Sequence, residues 1–144
     1  GKKVLVIDGD LRHGSSSAYV GSPKPGLSDY LSGRVERLAD IIVTDKSHKH
    51  LDILPVGTIP PNPTELLFDD RLKQAIDAAR EQYDYVLIDC PPIELVADTQ
   101  IIEKLADRTI FVIRAGLLER SMLRIPLWLR REAEGGGNGW SLND

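Results

Sequence analysis

Three aspartates carry the chemical signal of this sequence. Val4-Leu5-Val6-Ile7-Asp8-Gly9-Asp10 and Tyr85-Val86-Leu87-Ile88-Asp89 are apolar runs about one strand long, and each stops on an aspartate. Strands buried on both faces read as unbroken Val/Ile/Leu runs, the pattern of a parallel sheet covered by helices. Ligands of such sheets bind beyond the carboxyl ends of the strands. Two carboxylates delivered to that edge, Asp8 and Asp89, suit Mg2+ and the phosphates it carries. Mg2+ takes one or two carboxylates and keeps its other positions for water and phosphate oxygens. Asp10 follows two residues after Asp8. If the strand persisted, the two side chains would lie on opposite sides of the backbone, so only one would face a phosphate directly.

The elements that must position these groups alternate between strand and helix. Val4–Ile7, Leu51–Gly57, Tyr85–Ile88 and Thr109–Ile113 are expected strands. Arg12 to Pro25, rich in Gly, Ser and Pro, reads as a loop. Ser28 is expected to cap a short helix through Leu31 that Gly33 stops. A further short element is expected within Arg34 to Val43. Asn62-Pro63-Thr64-Glu65 reads as a helix start, with Asn62 as cap, Pro63 at the first helical position and Glu65 closing a capping box. Leu72, Ala75, Ile76, Ala79 and Tyr83 recur at helical spacing, which predicts an amphipathic helix from about Asp69 to Gln82. Asp98 is expected to cap a helix with Ile101, Ile102 and Leu105 on one face. Met122–Leu129 reads as a helix that Pro126 kinks or shortens. The alternation predicts an α/β fold with a mainly parallel, doubly wound sheet. The glycines between Glu134 and Trp140 oppose any regular element. The expected division is a domain over 1–132 and a disordered or non-native tail over 133–144.

Bulk properties narrow the partners. A chain of 144 residues fits one domain, and its net charge of −4 argues against a nucleic-acid surface. Cys90 is the only cysteine, which excludes an intrachain disulfide and points to a reducing compartment. Beside a buried strand its thiol is expected to be inert. His48 and His50 lack further ligands nearby, so zinc is not expected. No apolar run approaches the roughly 18 residues of a membrane span.

The first run, continued as Asp8-Gly9-Asp10-Leu11-Arg12, resembles a Walker A′ motif, and Val86-Leu87-Ile88-Asp89-Cys90-Pro91-Pro92 resembles a Walker B strand. Gly26-Leu27-Ser28-Asp29-Tyr30-Leu31, Gly57 to Leu67, Ala97-Asp98-Thr99 and Val112-Ile113-Arg114-Ala115-Gly116 follow in the same order as in one family. From residue 2 to about residue 124 the chain resembles the deviant-Walker, MinD-like P-loop ATPases. Within them it is most similar to the bacterial tyrosine kinases of capsule and exopolysaccharide synthesis. The resemblance implies ATP and Mg2+ as cofactors. Asp8 and Asp89 would serve Mg2+, and Asp8 and Asp10 would activate a tyrosine hydroxyl, Asp8 being the expected base. Arg12 would pair with phosphate or with a neighbouring subunit. Arg114 would reach the nucleotide or form an ordinary surface ion pair. The resemblance further implies self-association, a membrane protein as activator, fused or separate, and a cytoplasmic place at the inner face of the plasma membrane. The alternative is a partition ATPase of the MinD/ParA type, which an amphipathic membrane-targeting tail would favour; none is visible. A third reading is a non-catalytic interaction module. The 144 residues contain no G-x-x-x-x-G-K-[ST] segment. By resemblance it would lie before residue 1, so the chain is expected to be a kinase fragment lacking the P-loop strand and inactive alone.

Overall fold

A computed structural model describes residues 1–91, 96–110 and 112, of which the side chain of Val96 is excepted. Two compact units divide the chain, Gly1–Ala106 and Asp107–Asp144. In the second, the described residues 107–110 and 112 form neither helix nor strand. The expected strand Thr109–Ile113 is therefore not seen at Thr109, Ile110 or Val112, while Phe111 and Ile113 lie outside the described residues. So do Arg114, the Met122–Leu129 stretch and the boundary at 132/133.

The first unit is built on a four-stranded sheet. Strand β1 is Val4–Asp8, β2 Val43–Thr44, β3 Leu51–Leu54 and β4 Tyr85–Asp89. Their order is β2-β3-β1-β4, with β3, β1 and β4 parallel and β2 antiparallel to β3. The apolar runs form the three parallel strands, as expected. The second stops at Leu54 rather than Gly57, because Pro55 cannot donate to a ladder.

Among the described residues four α-helices accompany the sheet: α1 Leu27–Leu31, α2 Pro63–Leu67, α3 Asp70–Gln82 and α4 Val96–Glu103. The predicted stripe of α3 is buried at Leu72, Ala75, Ile76 and Ala79. It packs with Leu5, Ile7, Leu54, Leu67 and Ile102 in one core. That core lies on the face of the sheet that carries Leu5 and Ile7. On the other face Tyr85 and Leu87 stay more than half exposed.

Two expected caps differ from the structure, and a third keeps its position without its capping box. Gly26, not Ser28, occupies the N-cap of α1. Its own amide is bonded by Asp29, and the Ser28 hydroxyl instead donates to the Thr58 carbonyl. Asn62 is the N-cap of α2, but its Nδ2 donates to Glu65 Oε2 at 2.8 Å, so side chain meets side chain and the capping box does not form. Asp98 lies within the first turn of α4, not at its cap. Its buried carboxylate bonds Arg12 and Thr64 instead.

One close approach needs glycine on both sides. Leu27 N donates to Pro55 O at 2.7 Å and Ser28 N to Val56 O at 2.9 Å, which brings α1 against the exit from β3. A Cβ on Gly26 would stand 2.4 Å from Gly57 N, and Gly57 itself has φ +82°. Asp29 closes this junction, accepting from Gly26 N at 2.9 Å and Thr58 N at 3.0 Å while Arg34 pairs with its other oxygen at 3.0 Å.

Candidate functional site

The parallel register sets Asp8 opposite Asp89 as Cα partners at the carboxyl ends of β1 and β4. Val6 and Leu87 are partners two residues earlier, so the two aspartates share the face that these residues occupy. Gly9 permits this closeness. Its N–H donates to Asp89 O at 2.8 Å, and a Cβ there would meet that oxygen at 2.9 Å. Beside the carboxylates an open cavity of about 490 Å³ is lined by Val6, Ser15, Ser16, Tyr19, Leu87, Ile88 and Asp89.

Asp8 and Asp89 meet this space differently. Asp89 is exposed and accepts from the Ser16 hydroxyl. Asp8 is fully buried. Its Oδ2 accepts from Ser17 N and Ser17 Oγ, both at 2.7 Å, and its Oδ1 accepts from Asp10 N at 3.2 Å. Each carboxylate oxygen has two acceptor positions, so one position on Oδ1 is left. Burial is the main cause that raises the Asp8 pKa above its ordinary value. The Ser17 hydroxyl and the two N–H groups pull against it, and the Asp89 charge pushes further up.

Asp10 is also buried, at 5% exposure, so the expected opposition of Asp8 and Asp10 across an extended strand does not arise. The strand ends at Asp8 and the chain turns, with His13 N and Gly14 N donating to Asp10 O. Asp10 Oδ1 accepts from Arg12 N and His13 N, each at 3.2 Å, and the His13 ring lies 3.0 Å from Oδ2. Arg12 points its guanidinium to Asp98 and Thr64. Cys90 behaves as expected of an inert thiol, since burial, helped by Asp89 and Glu103, pushes its pKa up to about 11.

The serines escaped the reading of the sequence. Ser15-Ser16-Ser17 looked like loop composition, but Ser16 to Val20 form a turn of 3₁₀ helix that sets Ser16 on Asp89 and Ser17 on Asp8. Ser17 Oγ also accepts from Val56 N at 2.8 Å, which ties the turn to the exit from β3. No local pattern signals such contacts, because each partner is distant in sequence.

The donor set fits Mg2+. Asp8 and Asp89 are register partners, Asp89 lining the cavity and Asp8 buried, and among the described residues no group of three or more His, Cys, Asp or Glu could hold a metal ion. A cation that keeps waters and phosphate oxygens needs no more protein ligands than that.

Comparison with known proteins shows the family. A family model described as an AAA domain, AAA_31, matches residues 1–119. The chain is 40% identical over 124 residues to the tyrosine-protein kinase CpsD of Streptococcus agalactiae, covering 84% of this chain and 52% of CpsD. It is 34% identical over 138 residues to the tyrosine-protein kinase Etk of Escherichia coli, covering 95% of this chain and 18% of Etk. The solved kinase domain of Etk superposes with a TM-score of 0.80 at 35% identity, over 95% of this chain and 52% of that one. The septum site-determining protein MinD of Pyrococcus horikoshii, solved with Mg-ADP, superposes with a TM-score of 0.71 at 27% identity, over 92% of this chain and 54% of that one. The chain thus spans about half of CpsD or less of these relatives' length. It belongs to the AAA_31 family within the P-loop ATPases and is a homologue of the bacterial tyrosine kinases.

Proposed function

We propose that this chain is part of an ATP-dependent protein tyrosine kinase that regulates the synthesis or export of a capsular or extracellular polysaccharide. The observation that carries the proposal is the pairing of Asp8 with Asp89 in one row at the carboxyl edge of a parallel sheet, beside an open cavity. The kinase homologues support it over a MinD-type partition ATPase.

Phosphoryl transfer depends on positioning and charge neutralisation more than on covalent help from the protein. Asp89, facing the cavity, and Asp8 behind it would hold Mg2+, which supplies neutralisation of the phosphate charge when bound. Asp8 is the proposed proton acceptor from the tyrosine hydroxyl, at the open position on Oδ1. Ser17 and the Asp10 N–H orient that carboxylate, and Asp10 holds the turn that supplies the second of these donors. Ser16 orients Asp89. Arg114 remains a proposed nucleotide contact. A membrane protein as activator, self-association and a cytoplasmic site at the plasma membrane complete the proposal.

The test uses the full-length protein with Mg-ATP. Asp89→Asn keeps the shape and removes the charge, and phosphotyrosine should fall at least about a hundredfold, the scale lost with a key electrostatic contact. Asp8→Asn should do the same. Wild-type phosphotyrosine in Asp89→Asn would overturn the Mg2+ assignment, and nucleotide hydrolysis without phosphotyrosine in the wild type would return the reading to a partition ATPase.

A further inference from the structure

Three side chains from separate elements close into a network that the proposed reaction does not use. Asp98, on α4 and 3% exposed, accepts from Thr64 Oγ1 at 2.5 Å through Oδ1 and from Arg12 Nε at 3.2 Å through Oδ2. Arg12 Nη2 donates to Thr64 Oγ1 at 3.0 Å, which completes the ring. Thr64 opens α2, so the three groups join α2, α4 and the turn after β1. A buried carboxylate is costly unless it is paired and hydrogen-bonded. Arg12 and Thr64 supply those partners here. Arg12 in turn is joined to the site through its own backbone, since its N–H donates to Asp10 Oδ1, and Asp10 N donates to Asp8 Oδ1. A chain of four hydrogen-bonded residues therefore runs from Asp98 through Arg12 and Asp10 to Asp8.

We infer that Asp98 is a positioning residue: by holding the Arg12 guanidinium against Thr64 it fixes the turn from Gly9 to Gly14, and so the placing of Asp10 beside Asp8. Arg12 is then a strut within the chain rather than a hand for phosphate. The planar fork matters, because Nε and Nη2 bond two different partners at fixed angles. A lysine has the charge but not that geometry. This inference rests on the proposed kinase reading only where activity is the readout. Displacements of about 1 Å at a reacting group cost up to about a hundredfold in rate, so a loosened turn should be visible in turnover.

The experiment compares Asp98→Asn, Arg12→Lys and the double variant in the full-length protein. The Arg12 side chain is 37% exposed, so Arg12→Lys should fold even if the other variant does not. The expected result is a fall in kcat of about tenfold in each single variant, with KM for Mg-ATP unchanged within about twofold. The double variant should lose no more than either, as groups acting as one unit do. Deuterium uptake by peptides covering residues 9–14 should be faster in all three. Unchanged kcat and unchanged uptake in both single variants would overturn the inference. A rise in KM for Mg-ATP confined to Arg12→Lys would also overturn it, and would return Arg12 to the nucleotide. If the wild type makes no phosphotyrosine, the kinase reading fails, and uptake alone decides the role of Asp98: faster exchange supports it and unchanged exchange overturns it.

Discussion

Removing one hydroxyl, in Ser17→Ala, should destabilise the protein more than its size suggests, and more at neutral than at acid pH. Ser17 is 2% exposed, and its Oγ both donates to Asp8 Oδ2 and accepts from Val56 N. The substitution leaves a buried N–H without its acceptor, which costs about 1–3 kcal/mol. It also removes a hydrogen bond to a charged carboxylate, worth about 1.5–3 kcal/mol. The two together come to about 2.5–6 kcal/mol, a large share of the roughly 5–15 kcal/mol that holds a domain folded. The pH dependence follows from Asp8. Its native pKa is already raised, mainly by burial, and the Ser17 hydroxyl is the strongest influence pulling it down. Without that hydroxyl the native value rises further. A carboxyl with a raised native pKa binds more protons folded than unfolded, so its penalty is full above the native value. The penalty fades as pH falls toward the ordinary carboxylate range. The loss in Ser17→Ala should therefore shrink across that window to little more than the Val56 share. Urea unfolding followed by circular dichroism, repeated from pH 7 downward, measures both parts. The same substitution made in an Asp8→Asn background should cost less. A loss below about 0.5 kcal/mol at pH 7, or one identical in the two backgrounds, would refute the argument.

Asp29→Asn should loosen the α1 junction by about 2 kcal/mol at neutral pH, since the amide loses the charge that binds two N–H groups and Arg34. Burial pushes the Asp29 pKa up, but the Thr58 and Gly26 amides and the Arg34 charge outweigh it and hold the value below the ordinary range. Its stabilisation is therefore present above the ordinary carboxylate pKa and lost as pH falls through the native one, so urea midpoints of wild type and variant should converge in acid. Cys90, with a thiol pushed up to about 11, should react with a disulfide reagent at pH 8 far more slowly than a free thiol of ordinary pKa. A rate equal to that of an unfolded control would contradict its burial.

Much of this architecture is local enough to be legible in the chain. Val4 to Asp8 and Tyr85 to Asp89 are strands because unbroken β-branched and aliphatic runs favour extended backbone; the expected burial on both faces fails for β4, which ends the described sheet with Tyr85 and Leu87 exposed. The α3 stripe is legible for the same reason, since burial at Leu72, Ala75, Ile76 and Ala79 follows the helical period. Cap assignments fared worse. Ser28 and Asp98 are good capping residues by type, but their partners lie across the fold, the Thr58 carbonyl and the Arg12–Thr64 pair, while Asn62 keeps the N-cap position and bonds the Glu65 side chain three residues on. A short polar side chain competes among every donor and acceptor within reach, and distant ones cannot be read from spacing.

The amino-acid order by itself therefore determined which carboxylates end which strands at one edge of an α/β sheet. Periodicity and strand-end residues are properties of neighbouring positions, and they act through backbone geometry that is the same in every protein. The tertiary structure alone decided what each carboxylate became. Register made Asp8 and Asp89 partners, and the 3₁₀ turn brought Ser16 and Ser17 onto them. Burial then separated the pair, leaving Asp89 at the cavity and Asp8 enclosed with a raised pKa. Arg12, an isolated cation in the sequence, was assigned to Asp98 because a buried charge must be compensated by whatever the fold sets beside it.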